Sequence, residues 1–459
     1  MSLASFKNRA SANPQNAWVD LATIEGNVRH LYTGKDCVTP FSREPEKSSW
    51  FSTIWAPMRQ DNSNEDNPSW RTHNNVDMLL KVLWRATVPA VKLKDEFSRK
   101  GYQIAFTRNL AHNAIGQVEL LFNDLRTQSF DSVYLDCYAN HFTKGYDKWL
   151  LYNRMIGNIP EAVEWSQNIP SFDIKALLPF SFTKGPTEAL KLCCLKLVQT
   201  RFAFHSNTEL GRLIRMRRPL GRDKNGVVQW EDVAGDVSEY LDFEDKKNRL
   251  QNVELWAKYA IVTDEERDFH KLDNHAIILE QSLNYDHVET RKGSGPVNAQ
   301  FHWNGAVKSI MFACLNRTAT KYNSYSNYTT NARDASQGRD PLKTMSLQYD
   351  SQYRYQNIPA DLFSEVEAME MPNAYCDTGH HILNYSLDPA NNTPNGVTVF
   401  DRLISSFSVD IEDKQVLEGD ERELRLNPAN EYSLVLRGIG ETLYLISGNS
   451  ISIPIGGEN

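Results

Sequence analysis

The sequence predicts an all-β protein made of two β-sandwiches in series, and three features carry that expectation. Strand-like segments dominate the chain, turns rich in Gly, Pro, Asn and Asp separate them, and the order of segments in the first half is echoed in the second. A chain of 459 residues also exceeds what one hydrophobic core organises, so two domains of roughly 200 residues follow.

In the first half, "VDMLLKVLW" (76–84), "QVELLF" (117–122) and "SVYLDCY" (132–138) read as strands. "GPTEALKL" from Gly185 carries a short helical signal. The segments 62–75 and 316–340 are polar and read as long loops; the second lacks apolar periodicity and is expected to be an elaborated surface loop. Residues 215–236 are charged and rich in Pro and Gly, with the hairpin signal Asn225-Gly226, and divide the chain almost in half. In the second half "DEERDFHKLDN" from Asp264 reads as a helix, while "VKSIMFACL" (307–315), "TMSLQY" (344–349) and "YSLVLRG" (432–438) read as strands. Pro394-Asn395-Gly396 is turn chemistry. The alternation of Phe407, Val409 and Ile411 with Ser408 and Asp410 predicts a strand with one buried face.

Three pairs of segments keep the same order in both halves. "VDMLLKVLW" matches "VELWAKYAI" (253–261), and "VELLFND" from Val118 matches "MSLQYDS" from Met345. The third pair is the stretch from Leu177 and the stretch from Ile382, each a strand, a Pro/Gly interruption and a second strand. The expected organisation is an N-terminal arm (1–25), a first eight-stranded jelly roll (26–215), a linker (216–250) and a second jelly roll (251–459), with long loops and a few short helices.

The composition, 41% hydrophobic and 24% charged, is ordinary for a globular protein, and no apolar run approaches the length of a membrane span. A net charge of −8 argues against direct binding of nucleic acid. The N-terminus has no apolar secretory core, and the six cysteines show no C-x-x-C spacing. Free, mostly buried thiols in a reducing compartment are expected, with the sequons at Asn316, Asn327, Asn384 and Asn391 unmodified.

Chemistry-bearing residues are sparse. His380-His381 lacks H-x-H or H-E-x-x-H spacing and is read as structural or solvated. Cys193-Cys194 lies in an apolar stretch as inert buried thiols. Asp264–His270 is read as a solvated helical turn, and Arg215, Arg217 and Arg218 as interdomain ion pairs or a contact for an acidic partner. No nucleophile elbow, P-loop or dinucleotide fingerprint occurs. No catalytic, cofactor-binding or metal-binding residue is assigned, and no cofactor is expected. Because carboxylate pairs leave no sequence motif, a tandem β-sandwich carbohydrate-binding protein or glycan hydrolase stands as an alternative.

Several segments resemble the major capsid proteins of nucleocytoplasmic large DNA viruses, iridoviruses in particular. "PNGVTVFDR" (394–402) is similar to their P-x-G-x-x-x-F-x-R segment, and "WVDLATIEGNVRHLYTGKD" (18–36) to their N-terminal segment. "RNLAHNAIGQVELLFND" (108–124), "RMIGN" (154–158), "LLPFSFTKGPTEAL" (177–190), "WAKYAIVTDEER" (256–267) and "WNGAVKSIMFA" (303–313) follow in family order, with Gly305-Ala306 where the family often has His-Pro. The resemblance implies two consecutive jelly rolls, "WAKYAIVTDEER" opening the second. It also implies a homotrimer forming a pseudo-hexagonal capsomer of an icosahedral shell, contacts with neighbouring capsomers, minor capsid proteins beneath the shell, and through them an inner viral membrane. Virion localisation and assembly in the host cytoplasm follow, with a minor capsid protein of the same fold as a further alternative.

Overall fold

In the computed structural model the described residues are 50–73, 76–222, 226–244, 247–272, 275–286, 289–372, 376–390, 395–400, 404–413, 429–447 and 450–452. Strands β1 (Phe51–Pro57), β2 (Ser69–Arg71), β3 (Met78–Val88), β4 (Gln117–Phe122), β5 (Leu125–Asp131), β6 (Phe172–Leu177), β7 (Thr200–His205) and β8 (Gln251–Val262) build the first sandwich. One sheet runs β1-β8-β3-β6 and the other β2-β7-β4-β5. The second sandwich uses β9 (His275–Asp286), β10 (Gly295–Phe301), β11 (Ala306–Asn316), β12 (Leu342–Tyr349), β13 (Gln352–Pro359), β14 (His380–Asn384), β15 (Ser405–Ile411) and β16 (Glu431–Ser447). Its sheets run β9-β16-β11-β14 and β10-β15-β12-β13. Short accessory strands aside, both sandwiches share one order: first-eighth-third-sixth against second-seventh-fourth-fifth. These are two open jelly rolls, not closed barrels, and both belong to one compact unit from Phe51 onward.

Strand patterns follow what each face meets. On β15, Phe407, Val409 and Ile411 are buried while Ser408 and Asp410 are half-buried, as their alternation predicts. On β11 both faces are buried, which explains its near-continuous apolar run. Ile310, Phe312 and Cys314 enter the second core, whereas Met311, on the other face, joins the core of the first sandwich. β16 does the same: Leu434 and Leu436 face the second core and Ile439 the first. On β3 the burial phase shifts between Leu79 and Val82, where its register with β8 slips from Leu79↔Tyr259 to Lys81↔Lys258.

The echo between halves is structurally sound in two of its three pairs. "VELLFND" and "MSLQYDS" are the fourth strands of their sandwiches, and the stretches from Leu177 and Ile382 both lead from sixth to seventh strand. "VDMLLKVLW" and "VELWAKYAI" are instead a third and an eighth strand that pair with each other, Trp84 opposite Leu255.

That pairing also corrects the domain boundaries. Residues 251–262, expected to open the second jelly roll, are hydrogen-bonded between β1 and β3 and close the first. A jelly roll's last strand returns beside its first, so sequence proximity misassigns it. The expected linker is built structure: Ile214–Arg222 and Val228–Val233 form a hairpin that pairs with Gln103–Phe106, and Leu241–Phe243 pairs with Val91–Leu93. The expected arm (1–25) lies outside the described residues.

Helices α1 (Leu110–Ile115), α2 (Ser132–Phe142), α3 (Tyr146–Met155) and α4 (Asp264–Leu272) accompany the strands. "SVYLDCY", expected as a strand, is the body of α2. Asp131 caps it by accepting from the Tyr134 N–H at 2.9 Å. Phe130, Tyr134, Tyr138 and Phe142 then stack at helical spacing, with centroids 4.7, 5.9 and 4.6 Å apart. The signal at Gly185 gives only a 3-10 turn, Pro186–Glu188, before a short strand.

Neither long polar segment is a plain loop. Within 62–75, Trp70 on β2 is buried edge-on to Phe204 at 5.2 Å. The segment 316–340 is packed rather than displayed, with Asn316, Asn323, Asn327, Tyr328 and Thr330 all buried. Its polar side chains satisfy its own irregular backbone: the Asn316 amide donates to Thr329 O (2.9 Å) and the Asn327 amide to Asn331 O (2.9 Å). Its missing periodicity reflects an irregular path, not exposure.

Candidate functional site

Among the described residues, a network of buried charges lies where the two sandwiches meet. Arg437 projects from β16 and is 1% exposed. Its Nη2 donates to Asp131 Oδ2 at 2.6 Å and its Nε to Asp131 Oδ1 at 3.0 Å, while Asp286 lies 2.9 Å from Nη2. Burial alone would lower the guanidinium pKa, but the two carboxylates outweigh it and hold the pKa above the usual arginine range. Glu280 on β9 is equally buried, between Lys184 of the first sandwich (2.5 Å) and Lys308 of β11 (3.4 Å); Lys308 also reaches Glu441 at 3.3 Å. Around these ions Met311, Ile382 and Ile439 pack into the first core. Lone charges inside apolar strands, Lys308 in "VKSIMFACL" and Arg437 in "YSLVLRG", are the sequence signal that could have marked this junction.

The segment 316–340 crosses the same junction. The Asn323 amide donates to Ile214 O (2.8 Å) and Gly235 O (2.7 Å), and Asn430 donates to Thr330 O (2.7 Å). Tyr328 donates to Asp136 Oδ2 at 2.9 Å. Asp136, on α2, also accepts from Asn109 (2.8 Å) and meets His112 Nδ1 at 2.7 Å, while His112 Nε2 meets the Tyr152 hydroxyl at 2.8 Å.

His380 and His381 are buried on β14, so the solvated alternative is excluded and the structural one remains. Tyr328 packs edge-on to His380 at 4.6 Å, Phe312 stacks on His381 at 5.0 Å, and His381 Nε2 lies 2.7 Å from Asp340. Neighbouring His141 is pushed down to about 3 by burial and by the two adjacent imidazoles; burial also lowers His380. Cys376, 3.4 Å from His141 Nδ1, is raised to about 12 by burial. Among the described residues no group of His, Cys, Asp and Glu has the arrangement of a metal site.

The remaining candidates are each held by packing or polar contacts. Cys193 and Cys194 are buried, and Cys194 donates to His270 O at 3.1 Å. Arg217 lies between the rings of Trp165 (4.4 Å) and Trp230 (4.2 Å), Arg215 reaches Arg333 O, and Arg218 pairs with Glu231. On α4, Arg267 turns inward to Asp77 at 2.6 Å, so this charged turn is anchored rather than simply solvated. In the segment from Asn395, Gly396 has φ of 145° and passes so close to Tyr385 O that a Cβ would sit 2.7 Å away. It delivers Phe400 against Tyr349 at 5.5 Å and Trp303 at 5.9 Å. Pro394, Asp401 and Arg402 lie outside the described residues.

Known proteins resemble the chain along nearly its whole length. Residues 39–261 match the family described as major capsid protein N-terminus, and residues 266–434 match the large eukaryotic DNA virus major capsid protein family. The break between the two matches falls at the end of β8. The major capsid protein of lymphocystis disease virus 1 is 27% identical over 469 residues, covering 97% of this chain and 99% of that protein. That of invertebrate iridescent virus 6 is 26% identical, with the same coverage of 97% and 99%. Among solved structures, VP54 of PBCV-1, fitted into a reconstruction of the virophage Sputnik, superposes with a TM-score of 0.70 at 15% identity over 91% of this chain and all of that one. The Faustovirus major capsid protein gives 0.67 at 10% identity, covering 90% and 93%.

Proposed function

The chain belongs to the family of large eukaryotic DNA virus major capsid proteins, and from that premise we propose that three copies close into a pseudo-hexagonal capsomer tiling an icosahedral shell. As a major capsid protein it is a virion component. The observation that carries the proposal is the repetition of one strand order in two sandwiches fixed as one block. Three such blocks around an axis present six similar units, so a threefold object can occupy sixfold lattice positions. The edge strand β1, hydrogen-bonded only to β8 among the described strands, exposes Phe51, Ile54 and Trp55 and suits lateral burial in such an assembly.

The protein's work is mechanical: it supplies shape and contacts and carries out no catalysis. Neighbouring capsomers, minor capsid proteins beneath the shell and, through them, an inner viral membrane are its partners, with assembly in the host cytoplasm. A net charge of −8 supports a role without direct nucleic-acid contact. Light scattering on purified protein tests the trimer: a mass three times the 52.5 kDa chain is expected, and a folded monomer at micromolar concentration would refute it.

A further inference from the structure

Beside α3, and extending to the loop after β6, lies a cleft of about 460 Å³, within the range of roughly 300–1,000 Å³ usual for small-molecule sites. Its walls are Tyr138 and Phe142 of α2, Leu151 and Met155 of α3, and Leu177 and Leu178. Two of its hydroxyls are already engaged, Tyr152 with His112 at 2.8 Å and Thr183 with Phe180 O at 2.7 Å. Among the described residues four cations line the cleft, Lys81, Lys144, Lys148 and Lys184, and no carboxylate does. Lys184 is committed to Glu280 at 2.5 Å. The other three are exposed and make no ion pair among the described residues. Glu188 and Asp388 lie beyond Lys144 and Lys184, in an adjoining polar recess.

We propose that this cleft binds a free long-chain carboxylate, with its alkyl chain between α2 and α3 and its carboxylate among Lys81, Lys144 and Lys148. A ligand polar along its whole length would leave most of its hydroxyls unpaired against these mainly apolar walls. A cationic amphiphile would meet three uncompensated lysines, whereas a single negative head group is attracted to them and is turned away from the outer recess by Glu188 and Asp388. Leu151, 57% exposed on α3, is the apolar surface such a chain would cover.

The test uses the purified full chain and the fluorescent polyene acid cis-parinarate. Saturable uptake of one probe per chain is expected, displaced by myristate and not by tetradecyltrimethylammonium. Lys144→Glu with Lys148→Glu should weaken binding by about tenfold or more. Leu151→Asp should weaken it as well, and both variants should keep the unfolding midpoint of the parent because all three residues are exposed. Absence of saturable uptake, equal displacement by the ammonium, or unchanged affinity in the lysine double variant would overturn the proposal. So would capture on phosphatidylglycerol vesicles without binding of the monomeric acid, which would assign the lysines to a membrane surface.

Discussion

Asp131 caps the helix of the first sandwich with one oxygen and grips Arg437 of the second with both, at 2.6 and 3.0 Å. One carboxylate therefore serves local and long-range order together. Removing it leaves a buried guanidinium with Asp286 as its one carboxylate among the described residues, beside the Tyr285 and Leu436 carbonyls, and a helix without its cap, so Asp131→Ala should cost about 3–5 kcal/mol. Asp131→Asn, which keeps the cap, should cost less. Urea unfolding checks both, and because both sandwiches share the damaged junction, the transition should stay single.

Acid should weaken the fold through His141. Its folded pKa of about 3 lies below its ordinary value of 6.5, so the unfolded chain binds the proton first. Stability from this group is full above about pH 6.5 and falls as pH drops toward 3, by about 1.4 kcal/mol per pH unit. His380, lowered by burial, acts in the same direction. The urea midpoint should fall between pH 7.5 and 5.5, and His141→Gln should flatten that dependence.

The strand at 405–411 makes a paired test. Val409→Asp places an unpaired carboxylate in a 2%-exposed core position, at a cost of several kcal/mol. Ser408→Asp, on the half-buried face, should cost under about 1 kcal/mol. Insoluble Val409→Asp beside soluble, assembling Ser408→Asp is the expected pair; equal behaviour would mean the strand faces are misassigned.

Trypsin should spare the segment 316–340 despite Arg317, Lys321, Arg333 and Arg339, since its backbone is held across both sandwiches. Asn323→Ala strips two carbonyls of their donor at a positive-φ position and should cost about 2–3 kcal/mol. Cleavage within the segment should then become faster.

How far the sequence leads depends on where the burying partner comes from. The alternation on β15 is legible because a single sheet face decides it. The helix at 132–142 is hidden because Val133, Tyr134 and Tyr138 are strand formers, and only the Asp131 cap with the four-residue aromatic spacing reveals it. β8 is misplaced because its neighbour β1 lies at the far end of the first sandwich's sequence. Burial of the histidine pair carries no local mark, since Tyr328 and Phe312 come from elsewhere. The junction is half legible: Lys308 and Arg437 stand out in their strands, but Asp131 sits in an ordinary polar stretch and Glu280 stands where the apolar run 276–279 gives way to polar residues.

On β11, neighbouring residues answer to different interiors: Ile310, Phe312 and Cys314 to one, Met311 to the other. Inserting or deleting a single residue there would exchange the two sets and spoil both domains at once. A frame slip in β15 would ruin only one. Length variation is therefore forbidden most strictly in the strand between the domains and is channelled into the turns, so the parts of the molecule free to change size are those that do not set the spacing between its two halves.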